Sequence, residues 1–379
     1  MVRTEVHPVI RYRPTVAVID LGAIRHNVRA LKPEGTEVMA VVKANGYGHG
    51  DVAVARAAVE GGATWLGVAL VEEGIRLREA ELLVPILVLT QFPPGSEREA
   101  LAAGLTPSLY TDGGLARLAA ATPDGPPVGV HVKIDTGMHR VGIAPEHAIQ
   151  FLRAIQSSGA IRLAGLWTHL AKSEEVDDPF TSMQLARFDA VARDAAEAGL
   201  RPAYLHAANS AAAMARPDAR LDLVRLGLAI YGLSPSQALA EAAAVLKPAL
   251  SWRSAVAMVK RVAPGERLSY GQQYLVQRES TIATVPVGYA DGYSRLLSNR
   301  GEVLIRGRRR RVAGTVTMDQ LLVDCGEDAV EEGDEVMLIG RQGDAEISAD
   351  ELGAWMGTVN YEVVCGVSER VPREYVEGA

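Results

Sequence analysis

The chain has 379 residues, of which 48% are hydrophobic and 22% charged, and its formal net charge is −7. A chain of this length and composition folds as one large globular domain or two, with a core that needs no disulfide framework. The acidic balance disfavours a protein that binds nucleic acid through the phosphate backbone.

The cysteines and the hydrophobic pattern indicate the compartment. Cys325 and Cys365 lie in no metal-binding or redox motif, which favours a reducing environment. Residues 1–14 contain no apolar segment of the signal-peptide type, and no apolar run reaches membrane-spanning length. We therefore expect a cytoplasmic protein that binds no metal ion, no membrane and no nucleic acid.

The first two thirds of the chain alternate short apolar runs with amphipathic, Ala-rich stretches. The apolar runs predict strands at residues 15–19, 38–42, 65–70, 86–89, 106–110, 128–134, 163–168, 204–208 and 223–226. The stretches between them predict helices, such as residues 51–60, 114–121, 144–157 and 183–198. This alternation indicates parallel pairing and an α/β fold. If the first run pairs elsewhere, eight strands remain for a TIM-like (β/α)8 barrel.

Beyond Leu233 the pattern changes to a connector and then to short β-rich runs. These runs are residues 256–261, 281–286, 303–305, 311–316, 321–324 and 335–339. Ser348 opens one late helix, and Glu351 completes a capping box there. The pattern predicts a barrel over residues 14–245 and a C-terminal, mainly-β domain over residues 246–379, which a strand from residues 1–13 joins.

A basic run, residues 306–311, interrupts the acidic chain between two apolar segments. Its position and its glycine, Gly307, predict a solvated hairpin turn. A small nucleic-acid patch is the alternative.

Lys43 directly follows the apolar run that ends at Val42, so it lies at the carboxyl end of a predicted barrel strand, where barrel active sites form. Burial there would lower the pKa of this lysine, and a neutral amine is what Schiff-base chemistry requires. A lysine that extends into solvent is the ordinary alternative.

The same loop offers a rival interpretation. Residues 48–53 match G-x-G-x-x-A after a strand, and Glu72 and Glu73 follow at about the distance of a ribose-binding acid. A dinucleotide site is therefore an alternative, although its glycines begin several residues beyond the strand.

The later strand ends favour the lysine. His169 follows the sixth barrel strand, Ser210 the seventh and Gly227 the eighth. Barrels often bind phosphate after their last two strands, where a hydroxyl and a backbone amide beside a glycine can donate. An aldehyde-bearing phosphate cofactor could therefore join Lys43 to this cradle.

Eight segments of the chain resemble, in order, the motifs of alanine racemases, which are fold type III pyridoxal-phosphate enzymes. The segments are residues 41–50, 133–138, 206–210, 224–227, 269–271, 286–292, 318–320 and 360–362. The resemblance implies pyridoxal 5'-phosphate attached to Lys43, with Lys43 and Tyr270 as the two acid/base groups. Two bases are the simplest solution for a reaction that removes a proton from one face and returns it to the other.

The resemblance also implies roles for other residues. Arg225 would contact the pyridine nitrogen of the cofactor, oriented by His169. The remaining cofactor-binding residues would be Tyr47, Asn209, Ser210, Gly227, Leu228 and Tyr361. The substrate-binding residues would be Arg140, Met318 and Tyr289. The implied assembly is a homodimer in which Tyr270 and Met318 enter the partner's site.

Lys133 would be carbamylated, because two neighbouring cations, Lys133 and Arg140, would otherwise repel each other. Thr317, Leu226 and His139 stand where other residues are common in the family, which affects pocket shape and no proposed catalytic group. The implied function interconverts L-alanine and D-alanine and supplies peptidoglycan synthesis. The alternatives are a racemase of serine or another small amino acid, a related barrel-type decarboxylase and a pyridoxal-phosphate carrier.

Overall fold

The computed structural model describes residues 12–378, which fall into two compact units. Within the described residues, the barrel unit consists of residues 20–249 and 376–378, and the β unit consists of residues 12–19 and 250–375. No helix among residues 12–378 is both long and apolar enough to cross a membrane. The predicted division into domains over residues 14–245 and 246–379 stays a prediction.

The strands of the described residues are numbered in chain order. They are β1 (Val16–Asp20), β2 (Glu37–Val41), β3 (Trp65–Val68), β4 (Ile86–Val88), β5 (Thr106–Leu109), β6 (Val128–Lys133), β7 (Ile161–Trp167), β8 (Tyr204–His206), β9 (Leu223–Leu226), β10 (Leu250–Ala255), β11 (Met258–Val262), β12 (Arg267–Leu268), β13 (Tyr274–Leu275), β14 (Ser280–Val285), β15 (Glu302–Ile305), β16 (Arg308–Val312), β17 (Leu321–Asp324), β18 (Glu335–Gln342), β19 (Ala345–Ile347) and β20 (Arg373–Val376).

The α-helices follow the same numbering. They are α1 (Leu21–Leu31), α2 (Lys43–Tyr47), α3 (Asp51–Glu60), α4 (Val71–Glu79), α5 (Glu97–Ala102), α6 (Asp112–Ala121), α7 (Ala148–Ser157), α8 (Pro179–Glu197), α9 (Ser210–Ala215), α10 (Ala240–Ala243), α11 (Ala349–Met356) and α12 (Asn360–Cys365).

The barrel unit is built on eight parallel strands in the order β8-β7-β6-β5-β4-β3-β2-β9. The two ends of this order meet, because the amide of Asp222 donates to the carbonyl of Leu205 at 3.1 Å and that of Arg225 to Ala208 at 3.0 Å. The sheet therefore closes, and the predicted TIM-like α/β barrel is confirmed. The carboxyl ends of all eight strands lie at one face of it.

The helices around this sheet bury one stripe each. In α7 the buried residues are Ala148, Phe151, Leu152 and Ile155, the spacing of a single helical face. The strands they cover are apolar on both faces, as parallel strands between two layers require.

The β unit contains a sheet in the order β11-β14-β17-β16-β15-β18-β10-β1-β20, with β19 attached to β18. The first apolar run of the chain forms β1 and pairs antiparallel with β10, which leaves eight strands to the barrel. Of the strand expected within residues 1–13, residues 1–11 lie outside the described residues, and Tyr12 and Arg13 belong to no strand. The helix predicted at Ser348 is present as α11, and the Ser348 side chain accepts from the amide of Glu351.

The basic run differs from its predicted form. Only Arg306 and Gly307 make the turn, with φ of 53° and 71°, and the next four arginines form β16 inside the sheet. Two residues with positive φ make the tight turn that suits the twist of a hairpin. Carboxylates oppose the arginine side chains, as in the pairs Arg306–Asp334 and Arg309–Glu351 at 2.7 Å each. These pairs do not favour the nucleic-acid alternative.

Candidate active site

Lys43 opens a turn of left-handed backbone at the carboxyl end of β2. Ala44, Asn45 and Tyr47 have φ of 52°, 53° and 50°, and Gly46 between them has 59°. Left-handed backbone costs about 1–2 kcal/mol for each residue with a Cβ, so the surrounding structure must hold it. The turn leaves Lys43 half-buried and Tyr47 buried.

Glu73 holds this turn. Its carboxylate accepts from the amide of Ala44 at 2.7 Å, and from the amides of Ala69 and Leu70 at 2.8 and 3.1 Å. Hydrogen bonds to a charged acceptor contribute more than neutral ones, so this carboxylate ties the residue after Lys43 to the end of β3. The rival interpretation offered Glu72 and Glu73 for a ribose, whereas Glu73 accepts hydrogen bonds from three backbone amides.

A small polar cradle forms where β8 and β9 end. The hydroxyl of Ser210 accepts from the amides of Gly227 at 2.9 Å and Ala229 at 3.4 Å. A Cβ added to Gly227 would lie 2.7 Å from the hydroxyl oxygen of Tyr47, so only glycine lets this ring come so near. Tyr47, Ser210 and Gly227 thus meet, with hydroxyl and amide donors of the kind that bind phosphate.

Two residues assigned to the cofactor have structural contacts in this region. Asn209 caps α9, because its side-chain oxygen accepts from the amide of Ala212 at 3.0 Å, and it also accepts from the Ser173 hydroxyl at 2.9 Å. Leu228 is buried in the 3-10 turn Leu228–Tyr231. A role in binding the cofactor stays a prediction for both.

Arg225 lies on β9 and is buried among acceptors. Its Nη2 donates to the carbonyls of Thr168 at 2.7 Å and Ala207 at 2.9 Å, and its Nη1 to the carbonyl of His206 at 3.1 Å. The Nδ1 of His169 lies 3.3 Å from its Nη2. Among its partners in residues 12–378 there is no carboxylate, and burial lowers the pKa of Arg225 to about 9, so it is charged at neutral pH.

Positive charge accumulates at this end of the barrel. Burial, together with the neighbouring cations Arg140, Arg225 and Lys43, lowers the pKa of Lys133 to about 7. Burial and the same positive surroundings hold the pKa of His169 well below its usual range. Asp135 is the one acid that raises the pKa of Lys133, so this part of the described chain has an excess of positive charge.

Trp167, at the end of β7, is a platform for two of these cations. The Lys133 ammonium lies 4.6 Å from the centre of its ring, and the Arg225 guanidinium 4.8 Å. The imidazole of His206 stacks on Trp167 at 5.6 Å. Cation–π contacts partly compensate for the lack of carboxylates, and the sequence did not single this residue out.

Tyr270 lies in the β unit on a strained, solvent-exposed turn. Its side chain is 75% exposed, and its neighbours Ser269, Gly271 and Gln272 have φ of 61°, 72° and 49°. Thr315 fixes the turn, donating from its hydroxyl to the carbonyl of Tyr270 at 2.8 Å and accepting at its own carbonyl from Ser269 at 2.6 Å. The tyrosine is therefore presented outward by a backbone that is held in place.

The other predicted residues of the β unit form one small cluster and one separate position. The amides of Tyr289 and Ala290 donate to the carbonyls of Thr317 and Met318 at 3.0 and 3.1 Å, which brings Tyr289 and Met318 together. Both side chains are partly exposed, and so is Tyr361 on α12. Arg140, in the barrel unit, is exposed as well.

Two family models match consecutive parts of the chain. They are described as the alanine racemase N-terminal domain, over residues 19–235, and the alanine racemase C-terminal domain, over residues 249–375. Among curated proteins, an alanine racemase of Symbiobacterium thermophilum is 49% identical, covering 96% of this chain and 97% of its own. One of Desulforamulus reducens is 44% identical, covering 96% and 99%.

Solved structures of alanine racemases are also similar to this chain. An alanine racemase of the D-cycloserine producer Streptomyces lavendulae superposes with a TM-score of 0.92 at 39% identity, covering 98% of this chain and 99% of its own. One of Bacillus anthracis, described with bound L-Ala-P, has a TM-score of 0.91 at 37% identity, covering 97% and 96%. This chain belongs to the alanine racemase family.

Proposed function

We propose that this protein interconverts L-alanine and D-alanine with pyridoxal 5'-phosphate. The observation that carries the proposal is the barrel site, where a strand-end lysine, a hydroxyl–amide cradle and a cluster of cations meet in a chain of this family. The dinucleotide alternative is weakened, because Glu73, one of its two candidate acids, is already hydrogen-bonded to three amides.

The residues present fit this cofactor. Its phosphate group suits the donors of Tyr47, Ser210 and Gly227, and its negative charge suits cations that have few carboxylates near them. When bound, pyridoxal phosphate supplies an electron sink that acidifies the α-hydrogen of an amino acid. Lys43 would hold it covalently and Tyr361 would add a phosphate contact.

Two side chains would move the α-proton. Lys43 would take it from or return it to one face, and Tyr270 would act on the opposite face. The Tyr270 hydroxyl is suited to this because the turn that carries it is fixed by Thr315.

Arg225 would face the ring nitrogen of the cofactor. Guanidinium only donates hydrogen bonds, so it would hold that nitrogen as an acceptor and keep it unprotonated. A weaker electron sink favours rapid return of the proton over side reactions. His169 would orient Arg225 through the 3.3 Å contact.

The substrate would be held by Arg140 through its carboxylate and by Met318 and Tyr289 through packing. We propose a homodimer in which Tyr270 and Met318 enter the partner's site, which is consistent with their being 75% and 52% exposed in the single chain. The reaction in the cytoplasm would supply D-alanine for peptidoglycan synthesis.

Lys133 would carry a carbamate. A pKa of about 7 leaves about half of its amine neutral at that pH. The neutral nitrogen attacks the carbon of CO2, a nitrogen–carbon bond forms, and a proton leaves to solvent. The product has a charge of −1, which would remove the repulsion from Arg140 and attract that arginine instead.

The test is to mix the purified protein with pyridoxal phosphate and L-alanine and to follow visible absorbance and D-alanine formation. We expect both in the wild type, no D-alanine with Lys43→Ala, and a loss of about 100-fold or more with Tyr270→Phe. Lys260→Ala and Tyr12→Phe are matched controls at exposed positions and should behave as the wild type.

Other outcomes of this test would support the alternative functions. Racemisation of serine in preference to alanine would change the substrate, and CO2 release would indicate a decarboxylase. Cofactor binding without any turnover would indicate a carrier. Absence of the visible absorbance would reject pyridoxal phosphate.

A further inference from the structure

Two fully buried imidazoles extend the hydrogen bonds of Arg225 into the barrel core. The Nδ1 atom of His206 lies 3.0 Å from Nη1 of Arg225, and Nε2 of His206 lies 2.9 Å from Nδ1 of His131. Both imidazoles have no exposed surface. Arg225, His206 and His131 thus form a hydrogen-bond chain across three strands, β9, β8 and β6.

The arginine dictates where each proton lies in this chain. Guanidinium has no acceptor, so Nδ1 of His206 must accept from it. The proton of neutral His206 is therefore on Nε2, which donates to Nδ1 of His131. The proton of His131 is in turn on its own Nε2, and both residues hold the same tautomer.

Neither imidazole can become cationic without breaking the chain. A second proton on His206 would place a donor on Nδ1, facing the guanidinium. Burial, together with the charge of Arg225, lowers the pKa of His131 to about 3 and that of His206 well below its usual range. Both imidazoles are therefore neutral at neutral pH, whereas Arg225 is charged.

The barrel is shaped to let the two rings meet. His131 on β6 and His206 on β8 are separated by β7, where the register partner of His131 is Gly165. A Cβ on Gly165 would lie 2.4 Å from Nδ1 of His131, so glycine leaves the space in which the hydrogen bond passes.

The far end of the chain is enclosed by rings. Trp65 and Tyr204 pack around His131, with ring centres at 5.1 and 6.0 Å. Among the described residues, Nε2 of His131 has no hydrogen-bond partner. No hydrogen bond to Nε2 of His131 therefore favours the tautomer that is protonated on Nδ1. The Nδ1 atom of His131 remains an acceptor for His206.

We propose that His131 is a positioning residue for Arg225: by accepting from His206, it fixes the tautomer that His206 needs to hold the guanidinium. The proposal deepens the proposed function, on which its catalytic consequence rests. Without the acceptor at position 131, the buried Nε2 proton of His206 is unsatisfied, and moving it to Nδ1 would turn a donor toward Arg225. The guanidinium would then lose the acceptor at Nδ1 of His206, while its bonds to three carbonyls remain, and would shift relative to the ring nitrogen of the cofactor.

The test reads the tautomers by 15N NMR of histidine-labelled protein reconstituted with pyridoxal phosphate. Signals are assigned by substitution, and kinetics with L-alanine are measured on the same samples. His131→Leu removes the acceptor, whereas His131→Asn keeps a side-chain oxygen near the place of Nδ1. Tyr204→Phe is the control, because it changes the packing around His131 and leaves the chain intact.

In the wild type we expect His131 and His206 to be neutral and protonated on Nε2. His131→Leu should mix or reverse the His206 tautomer and lower kcat about 10- to 100-fold with little change in KM. A loss of this size is usual for residues that orient a side chain in contact with a bound group. His131→Asn should restore both, and Tyr204→Phe should change neither.

A wild-type His206 protonated on Nδ1 would overturn the proposal, even if no variant folds. So would an unchanged His206 tautomer in His131→Leu, whatever its activity. If the wild type makes no D-alanine but shows the expected tautomers, the proposed function fails while the hydrogen-bond chain stands, so the two failures are distinguishable.

Discussion

Lys133 imposes a cost on the folded protein that can be measured. Burial and neighbouring cations lower its pKa from 10.5 to about 7. At about 1.4 kcal/mol per pKa unit, keeping this amine protonated below pH 7 removes up to about 5 kcal/mol from the free energy of unfolding. Lys133→Met removes the charge and keeps an unbranched side chain, but it loses the cation–π contact with Trp167, which contributes about 2 kcal/mol when desolvated. We expect Lys133→Met to be more stable than the wild type by about 3 kcal/mol below pH 7.

The pH dependence of the free energy of unfolding tests whether the charge of Lys133 causes this difference. Because the pKa is lower in the folded state, the folded protein binds fewer protons than the unfolded chain between pH 7 and 10.5. The wild type therefore gains stability as pH rises through this window, and its gap to Lys133→Met should shrink by about 1.4 kcal/mol per pH unit. Below pH 7 the gap should be constant.

The assay is urea unfolding of both proteins at equal concentration, after removal of pyridoxal phosphate and bicarbonate, since a bound anion or a carbamate would change the charge at the site. A variant that is less stable at every pH would refute the reasoning, and so would a gap that does not shrink above pH 7. Returning bicarbonate should stabilise the wild type alone if Lys133 is carbamylated.

Three further substitutions test other parts of the account. Glu73→Gln should lower the free energy of unfolding by about 2 kcal/mol, because an amide cannot accept from three backbone N–H groups as a carboxylate does; the exposed Glu72→Gln should stay within about 0.5 kcal/mol of the wild type in the same urea titration. Gly227→Ala should raise the Kd for pyridoxal phosphate at least about 10-fold in an absorbance titration, because its Cβ would displace the Tyr47 hydroxyl; unchanged affinity would remove Gly227 from the cradle. Ser348→Ala should cost about 1 kcal/mol, read by the same unfolding measurement, through loss of the α11 cap, and no loss would contradict the capping box.

The alternation of apolar runs and helical stretches was sufficient to predict the barrel, because parallel strands must be buried and joined by helices. It could not assign the partner of the first run, since the apolar pattern of β1 is the same whether the strand pairs with β2 or with β10. The four arginines of β16 were placed in a turn, although the turn needs only Arg306 and Gly307. Their positions inside the sheet depend on carboxylates such as Glu351, the partner of Arg309, that are distant in sequence.

At the site, the position of Lys43 after a buried strand could be predicted, but its left-handed turn could not. Three residues with a Cβ adopt that backbone only because groups such as Glu73 hold them, and one sequence does not reveal such a contact. His131 looked like an ordinary residue of an apolar strand, and its partner His206 lies 75 positions away. The contacts that these side chains make in the fold, more than their residue types, determine their roles.

The most direct test of the two-base account follows the α-hydrogen itself. L-alanine and D-alanine are incubated separately in D2O with the Tyr270→Phe holoprotein, and loss of the α-hydrogen is followed by proton NMR. With Lys43 as the remaining base, one enantiomer should exchange its α-hydrogen while the other does not, and inversion should be nearly absent. Exchange and inversion of both enantiomers at wild-type rates would contradict the assignment of Tyr270 as a base.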